Sequence, residues 1–265
     1  MNDTTLEIDG LAGGIDAEID AELERPVTTD QRAASAELFD RLDAMIERRW
    51  ADAADSPLWQ HVLAHGFERE LYRTLMVQVF HYTRFNSVNQ AFCAVRATPD
   101  QRALLRFVYR HADEELGHEQ MVVHDLRSIG LIERDDDLTD LAAFPRLPAT
   151  DALIGYIAGV ALTEGAVARL GYSYWAEAVY EHLAPLLFAA ARSLGLTERQ
   201  MTFFTAHSDI DAHHSAEVRR IVAKVAVTPA DQEALFRVAD TTLWLTHQLM
   251  EQAFVAWRSA QVLGA

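Results

Sequence analysis

The chain has 265 residues, 50% hydrophobic, with 40 acidic against 23 basic side chains and a formal net charge of −17. That length suits one large domain or two small ones around a sizeable core. The negative charge repels phosphate backbones and anionic bilayers, so nucleic acid and membrane surfaces are excluded as expected partners.

The single cysteine, Cys93, excludes an internal disulfide and a multi-thiolate metal site. Its setting, AFCAV, reads as a buried small hydrophobe. No basic-then-apolar leader is visible and no run reaches transmembrane length, so the expected location is cytoplasmic.

Residues 1–29 combine Gly10, Gly13 and Gly14 with repeated acids and read as a flexible acidic tail, with AEIDAELE as a short helical turn. Residues 30–265 read as one domain. A helix is predicted over 31–53 from Leu38, Leu42, Ile46 and Trp50, spaced four apart. Ser56-Pro57 opens a short helix that Gly66 ends. A long helix is predicted from about Glu68 to Ala97, with His81 in its middle, where a core histidine bonded to a neighbour is favoured over a site residue. Thr98-Pro99-Asp100-Gln101 reads as a capping box that launches a helix to about Ser128, stopped by Gly130.

Residues 131–148 hold an acidic run and two prolines and read as a surface loop. A nearly apolar helix is predicted from Asp151 to about Trp175, with Gly171 and its aromatic neighbours marking a bend. Helix continues to Gly195, with Pro185 opening its second segment. Thr197-Glu198-Arg199-Gln200 is a second capping box, before a helix to about Val227. Thr228-Pro229 caps the last helix, to about Gln261. No strand and no repeat emerges. The fold class is therefore all-α, a single-domain bundle of about seven helices.

Two stretches carry chemistry. His207, Asp211 and His214 stand at i, i+4 and i+7, as do His111, Glu115 and His118. On a helix such residues fall within an arc of roughly 60°. Each histidine alone is more simply a capped or half-exposed polar residue; two matching sets on separate helices favour a metal site over a solvated charge pattern. Glu115 and His118 also have the Glu-x-x-His spacing of carboxylate-bridged two-metal centres. Imidazole and carboxylate without thiolate suit iron or manganese. Glu164 is a further candidate, because a carboxylate in an apolar run is costly to bury unless paired or metal-bound.

Two ferrous ions bridged by a carboxylate can bind O2 and pass it electrons in pairs. Glu115 is the candidate bridge. His118 and either His207 or His214 are candidate terminal ligands, with Asp211 and Glu164 on the second metal. Nucleotide, nicotinamide and nucleophile-elbow motifs are absent.

The pattern His207-x3-Asp211-x2-His214, preceded by Glu164 and by Glu115-x2-His118, resembles the heme-oxygenase-like diiron oxidases and oxygenases. The phrase HADEELGHEQMVVHDLRSIG is similar to a bacterial branch of iron-containing redox proteins. The resemblance implies a heme-oxygenase-like fold and a labile diiron site, with two irons per chain and O2 as co-substrate. It implies N-oxygenation, desaturation or C–C cleavage of a small amine, amino acid or fatty acid, in a natural-product pathway. An external electron donor and a homodimer are implied as well. Some members carry a glutamate seven residues before the first ligand histidine. His111 stands there in this chain, so either Glu115 replaces that glutamate or His111 is itself a ligand.

Other readings make different demands. A thiaminase-like member would use a catalytic cysteine, for which Cys93 is the only candidate. A true heme oxygenase would need His61 or His65 as axial ligand and would leave both triads unexplained. A non-catalytic metal- or partner-binding protein, or a cofactor-free member of the fold, would need neither. Candidates for a substrate pocket are Phe80, Tyr82, Phe85, Tyr156, Phe203 and Phe204, each of which core packing also explains.

Overall fold

A computed structural model describes residues 17–263, except for the side chains of residues 206–213. All regular structure among the described residues is helical. Twelve α-helical segments follow in order: α1 (17–24), α2 (Thr29–Ala54), α3 (Pro57–His65), α4 (Arg69–Thr83), α5 (Asn86–Phe92), α6 (Arg102–Glu114), α7 (Glu119–Ser128), α8 (Pro148–Thr163), α9 (Ala166–Ala176), α10 (Val179–Leu194), α11 (Thr202–Val225) and α12 (Pro229–Leu263).

The count exceeds the expected figure of about seven in large part because three long helices are interrupted and a short one, α1, precedes them. The stretch 68–97 breaks at Arg84–Phe85, the stretch 98–128 breaks at 115–118, and the stretch 151–175 breaks at Glu164–Gly165. Gly117 (φ +91°) and Gly165 (φ +90°) turn the chain at the second and third breaks, in a region that L side chains avoid.

α12 is the spine. Leu235, Val238, Ala239, Thr242, Leu243, Thr246, Leu249, Met250 and Ala253 form its buried stripe, which α2, α4, α8 and α9 pack around. Its closest neighbour is α9. A Cβ on Gly171 would lie 2.2 Å from the Leu235 carbonyl oxygen and 2.8 Å from the Ala239 nitrogen. Gly171 therefore permits backbone-to-backbone approach rather than the expected bend. Pro185 likewise lies inside a continuous α10 instead of opening a segment.

Several local expectations meet the structure directly. Thr28 and Gln31 form a reciprocal cap at the start of α2, and Thr197 and Gln200 form one just before α11. Thr98 and Gln101 are bonded, but helix starts only at Arg102. Gly130 and Gly195 stop their helices with positive φ. His81 is fully buried and its Nε2 donates to the Phe144 carbonyl at 2.8 Å. The turn expected at AEIDAELE is α1. It is held against the body by buried Leu23, by Arg106 on Asp20 at 3.0 Å and by Arg220 on Glu24 at 3.2 Å.

Candidate metal centre

The interruptions in the helices position the site. Glu115 caps the C-terminus of α6, and His118 precedes α7 across the turn at Gly117. Their i, i+3 relation survives the break: His118 Nδ1 lies 3.4 Å from Glu115 Oε2. His111 sits in the last turn of α6, its ring stacked on Phe107. Glu177 caps the C-terminus of α9, at the end of the buried run Ala168–Trp175. His214 comes from α11.

These elements bring His111, Glu115, Glu177 and His214 together, all buried, with one potential ligand atom of each within 4.8 Å of all the others. His111 Nε2 is 3.1 Å from Glu177 Oε1, and His214 Nδ1 is 3.4 Å from Glu177 Oε2. His214 Nε2 faces Glu114 Oε2 at 3.3 Å.

Behind these residues lies a supporting chain. Asn86, the first residue of α5 after the Arg84–Phe85 break, donates from Nδ2 to Glu115 Oε2 at 2.7 Å. Arg169 donates to Asn86 Oδ1 and to Ser173 Oγ, each at 2.7 Å. Arg169 is 1% exposed. Ser87 fixes α5 to α6 through the Ala112 carbonyl at 2.6 Å.

The electrostatics follow from two carboxylates buried side by side. Burial pushes both acids up, but hydrogen bonding to His118 pulls Glu115 below its ordinary value, and His111 and His214 hold Glu177 far below its own. Reciprocally, Glu115 raises His118 and Glu177 raises His214. The buried negative charge thus favours a positive charge among these imidazoles.

A divalent cation fits the same place. Two nitrogen and two oxygen donors without sulfur are a set for a hard-to-borderline metal such as iron. Ligand bonds of about 2.0–2.2 Å leave opposed donor atoms about 4 Å apart, so a 4.8 Å cluster closes on an ion with shifts of under about 1 Å.

Glu164 is not part of this cluster. α8 ends at Thr163, Gly165 reverses the chain, and the Glu164 carboxylate pairs with Arg237, which also donates to the Tyr156 hydroxyl at 2.9 Å. Glu177, thirteen residues later, is the buried acid that stands in the cluster. The signal was present in the sequence, since Glu177 closes an aromatic, apolar run of its own. Asn86 and Arg169 had no such signal. The side chains of His207 and Asp211 lie outside the described residues.

A cavity of about 110 Å³ opens beside Glu115 and Glu177 and runs between α4, α9, α10 and α12. Tyr82, Phe203 and Phe204 line it, as expected. Phe80, Phe85 and Tyr156 do not. Cys93 is fully buried, lies outside that lining, and its thiol is pushed up by burial. His61 pairs instead with Glu68 at 3.2 Å.

The sequence model for iron-containing redox enzymes matches residues 73–247, a span containing all four clustered residues. The chain belongs to the iron-containing redox enzyme family. Among solved structures, this family member is similar to a domain of unknown function with a heme oxygenase-like fold from Shewanella denitrificans OS217. The two are 34% identical, with a TM-score of 0.78 over 84% of this chain and 94% of that one. A TenA homolog from Pseudomonas syringae pv. tomato DC3000 is 15% identical, with a TM-score of 0.68 over 87% and 98%. A TenA homologue from P. horikoshii OT3 is 16% identical, with a TM-score of 0.64 over 82% and 97%. The last two likenesses speak to the fold alone. No curated protein matches the chain at a significant level. The heme-oxygenase-like, all-α architecture expected from the motifs is the one observed, and no helix among the described residues is long and apolar enough to cross a membrane.

Proposed function

We propose that this family member is a non-heme diiron enzyme that uses O2 to oxidise a small organic substrate. The observation that carries the reading is the convergence of four buried nitrogen and oxygen donors at the wall of an apolar cavity. His111, Glu115, Glu177 and His214 would hold iron. His118, paired with Glu115, extends the donor set towards a second ion. The sequence spacing of His207 and Asp211 from His214 makes them the further ligands of this reading. Bound iron would supply electrons to O2 and so the oxidising power that the side chains lack.

The rest is done by the chain. Asn86 holds one oxygen of Glu115 and fixes the orientation of that carboxylate, with buried Arg169 holding Asn86 in turn. Glu115 favours the protonated form of His118 and Glu177 that of His214, so a cation entering the centre competes with protons for those nitrogens. Apolar walls from α4, α9, α10 and α12 exclude water from the substrate's side of the centre.

A cysteine-based, thiaminase-like reaction has no support in this geometry, because the chain's one cysteine is buried away from the cavity. The decisive assay loads Fe(II) without oxygen, then follows O2 uptake against panels of amines, amino acids and carboxylic acids. Uptake accelerated by an organic compound that is itself oxidised supports the proposal. Uptake indifferent to every organic compound would reduce the protein to a ferroxidase.

A further inference from the structure

The cavity walls specify more than an organic substrate. Among the described residues no Lys, Arg, His or Asp lines the cavity, and its only charged groups are Glu115 and Glu177, both at the metal end. Four of its other polar groups, on Thr83, Asn86, Trp175 and Thr246, are engaged. The Thr83 hydroxyl donates to Val79 at 2.7 Å, the Thr246 hydroxyl to Thr242 at 3.0 Å, and Asn86 is occupied at both ends of its amide. Tyr72 and Trp50 line the cavity with a buried hydroxyl and a buried indole N–H that have no partner, two neutral donors for an acceptor on the substrate, neither of which supplies a counter-charge. Trp50, Tyr82, Tyr172, Trp175 and Phe203 give the walls flat aromatic faces. The volume of about 110 Å³ is near that of apolar cavities of about 150 Å³ that take up benzene.

We propose that the site takes a monopolar substrate, with one polar end directed at the metal and an uncharged body no larger than about a benzene ring. A second charge on the body would be stripped of water with no counter-charge to receive it. Among the described residues, no Arg or Lys stands in the walls to receive a distal carboxylate, and no acid away from the metal end to receive a distal ammonium. This inference rests on the metal-centre reading for the polar end and on the cavity alone for the body.

Calorimetry separates the two. Toluene is titrated into metal-free protein, and phenylacetate and 4-carboxyphenylacetate are titrated into both metal-free and Fe(II)-loaded protein without oxygen. Toluene should bind, and phenylacetate should bind loaded protein at least tenfold more tightly than the diacid. Leu183→Trp, at a half-buried wall position, should weaken toluene at least tenfold without changing iron content. If that variant misfolds by circular dichroism, Met250→Ala tests the opposite direction: naphthalene, refused by the wild type, should enter the enlarged cavity. A diacid that binds as tightly as phenylacetate, toluene that does not bind or ignores a folded Leu183→Trp, or naphthalene still refused by Met250→Ala overturns the inference. Failure to load iron would overturn the metal reading only, with toluene still deciding the cavity.

Discussion

Gly171→Ala should destabilise this protein, although alanine is the better helix former. Within a helix the exchange ordinarily gains about 1 kcal/mol. At Gly171 the new Cβ would sit 2.2 Å from the Leu235 carbonyl oxygen, over 1 Å inside ordinary contact, and 2.8 Å from the Ala239 nitrogen. Both obstacles are backbone of α12, so no side chain can rotate away and the two helices must part. Overpacking of this kind costs about 3 kcal/mol. Net destabilisation is then about 2 kcal/mol, or a melting temperature lower by about 4 °C in a chain of this size. Gly155 and Gly159, in α8 with no atom within 4 Å of the added Cβ, are the controls. Alanine at either should raise the melting temperature by about 1–2 °C. Thermal unfolding of the three metal-free variants decides the matter. A Gly171→Ala protein as stable as the wild type would refute the argument from close helix approach.

Other consequences follow from buried polar groups. His247 packs edge-on against Trp50 at 4.7 Å, with Nε2 buried and unpartnered, and burial with Arg49 nearby pulls its pKa down to about 4. Above pH 6.5 the imidazole is neutral in both states; as pH falls towards 4 only the unfolded chain gains the proton, so about 3 kcal/mol of stability is lost across that window. His247→Leu should flatten that part of the stability–pH curve, as measured by urea unfolding. Buried Asp125 accepts from the Thr202 amide (2.8 Å), the Thr202 hydroxyl (2.7 Å) and the Phe203 amide (2.9 Å), which ties α7 to the start of α11. Asp125→Ala should cost about 1–2 kcal/mol as a lost helix cap, with Asn restoring part of it, and hydrogen exchange should show the loss concentrated in α11. Asn86→Leu should lower iron affinity about 10–100-fold by freeing Glu115, with helicity unchanged, which a competitive chelator titration would measure.

Much of this architecture is legible in the chain's spacing. Periodicity gives the helices, and glycine at 130 and 195 gives two of their stops. Spacing singles out two triads, of which His111, Glu115 and His214 converge, His118 pairs with Glu115, and the side chains of His207 and Asp211 lie outside the described residues. What spacing cannot reveal is where a helix gives way to tertiary demands. Gly117 and Gly165 look tolerable inside helical patterns, yet each adopts a positive φ at a helix break. The second of these sends Glu164 to Arg237. A buried acid needs a partner, and Glu177, at the end of a second apolar run, meets that condition among His111 and His214. Asn86 and Arg169 were invisible because their role depends on contacts spanning 29 and 83 residues of sequence.

The most direct test counts iron. Wild type, Glu177→Ala and Glu164→Ala are loaded with Fe(II) without oxygen, desalted and analysed for metal, with circular dichroism as the folding control. A centre built on His111, Glu115, Glu177 and His214 predicts iron in the wild type, loss of it in Glu177→Ala, and wild-type content in Glu164→Ala. A folded Glu177→Ala protein that keeps its iron while Glu164→Ala loses it would contradict this assignment of the metal centre.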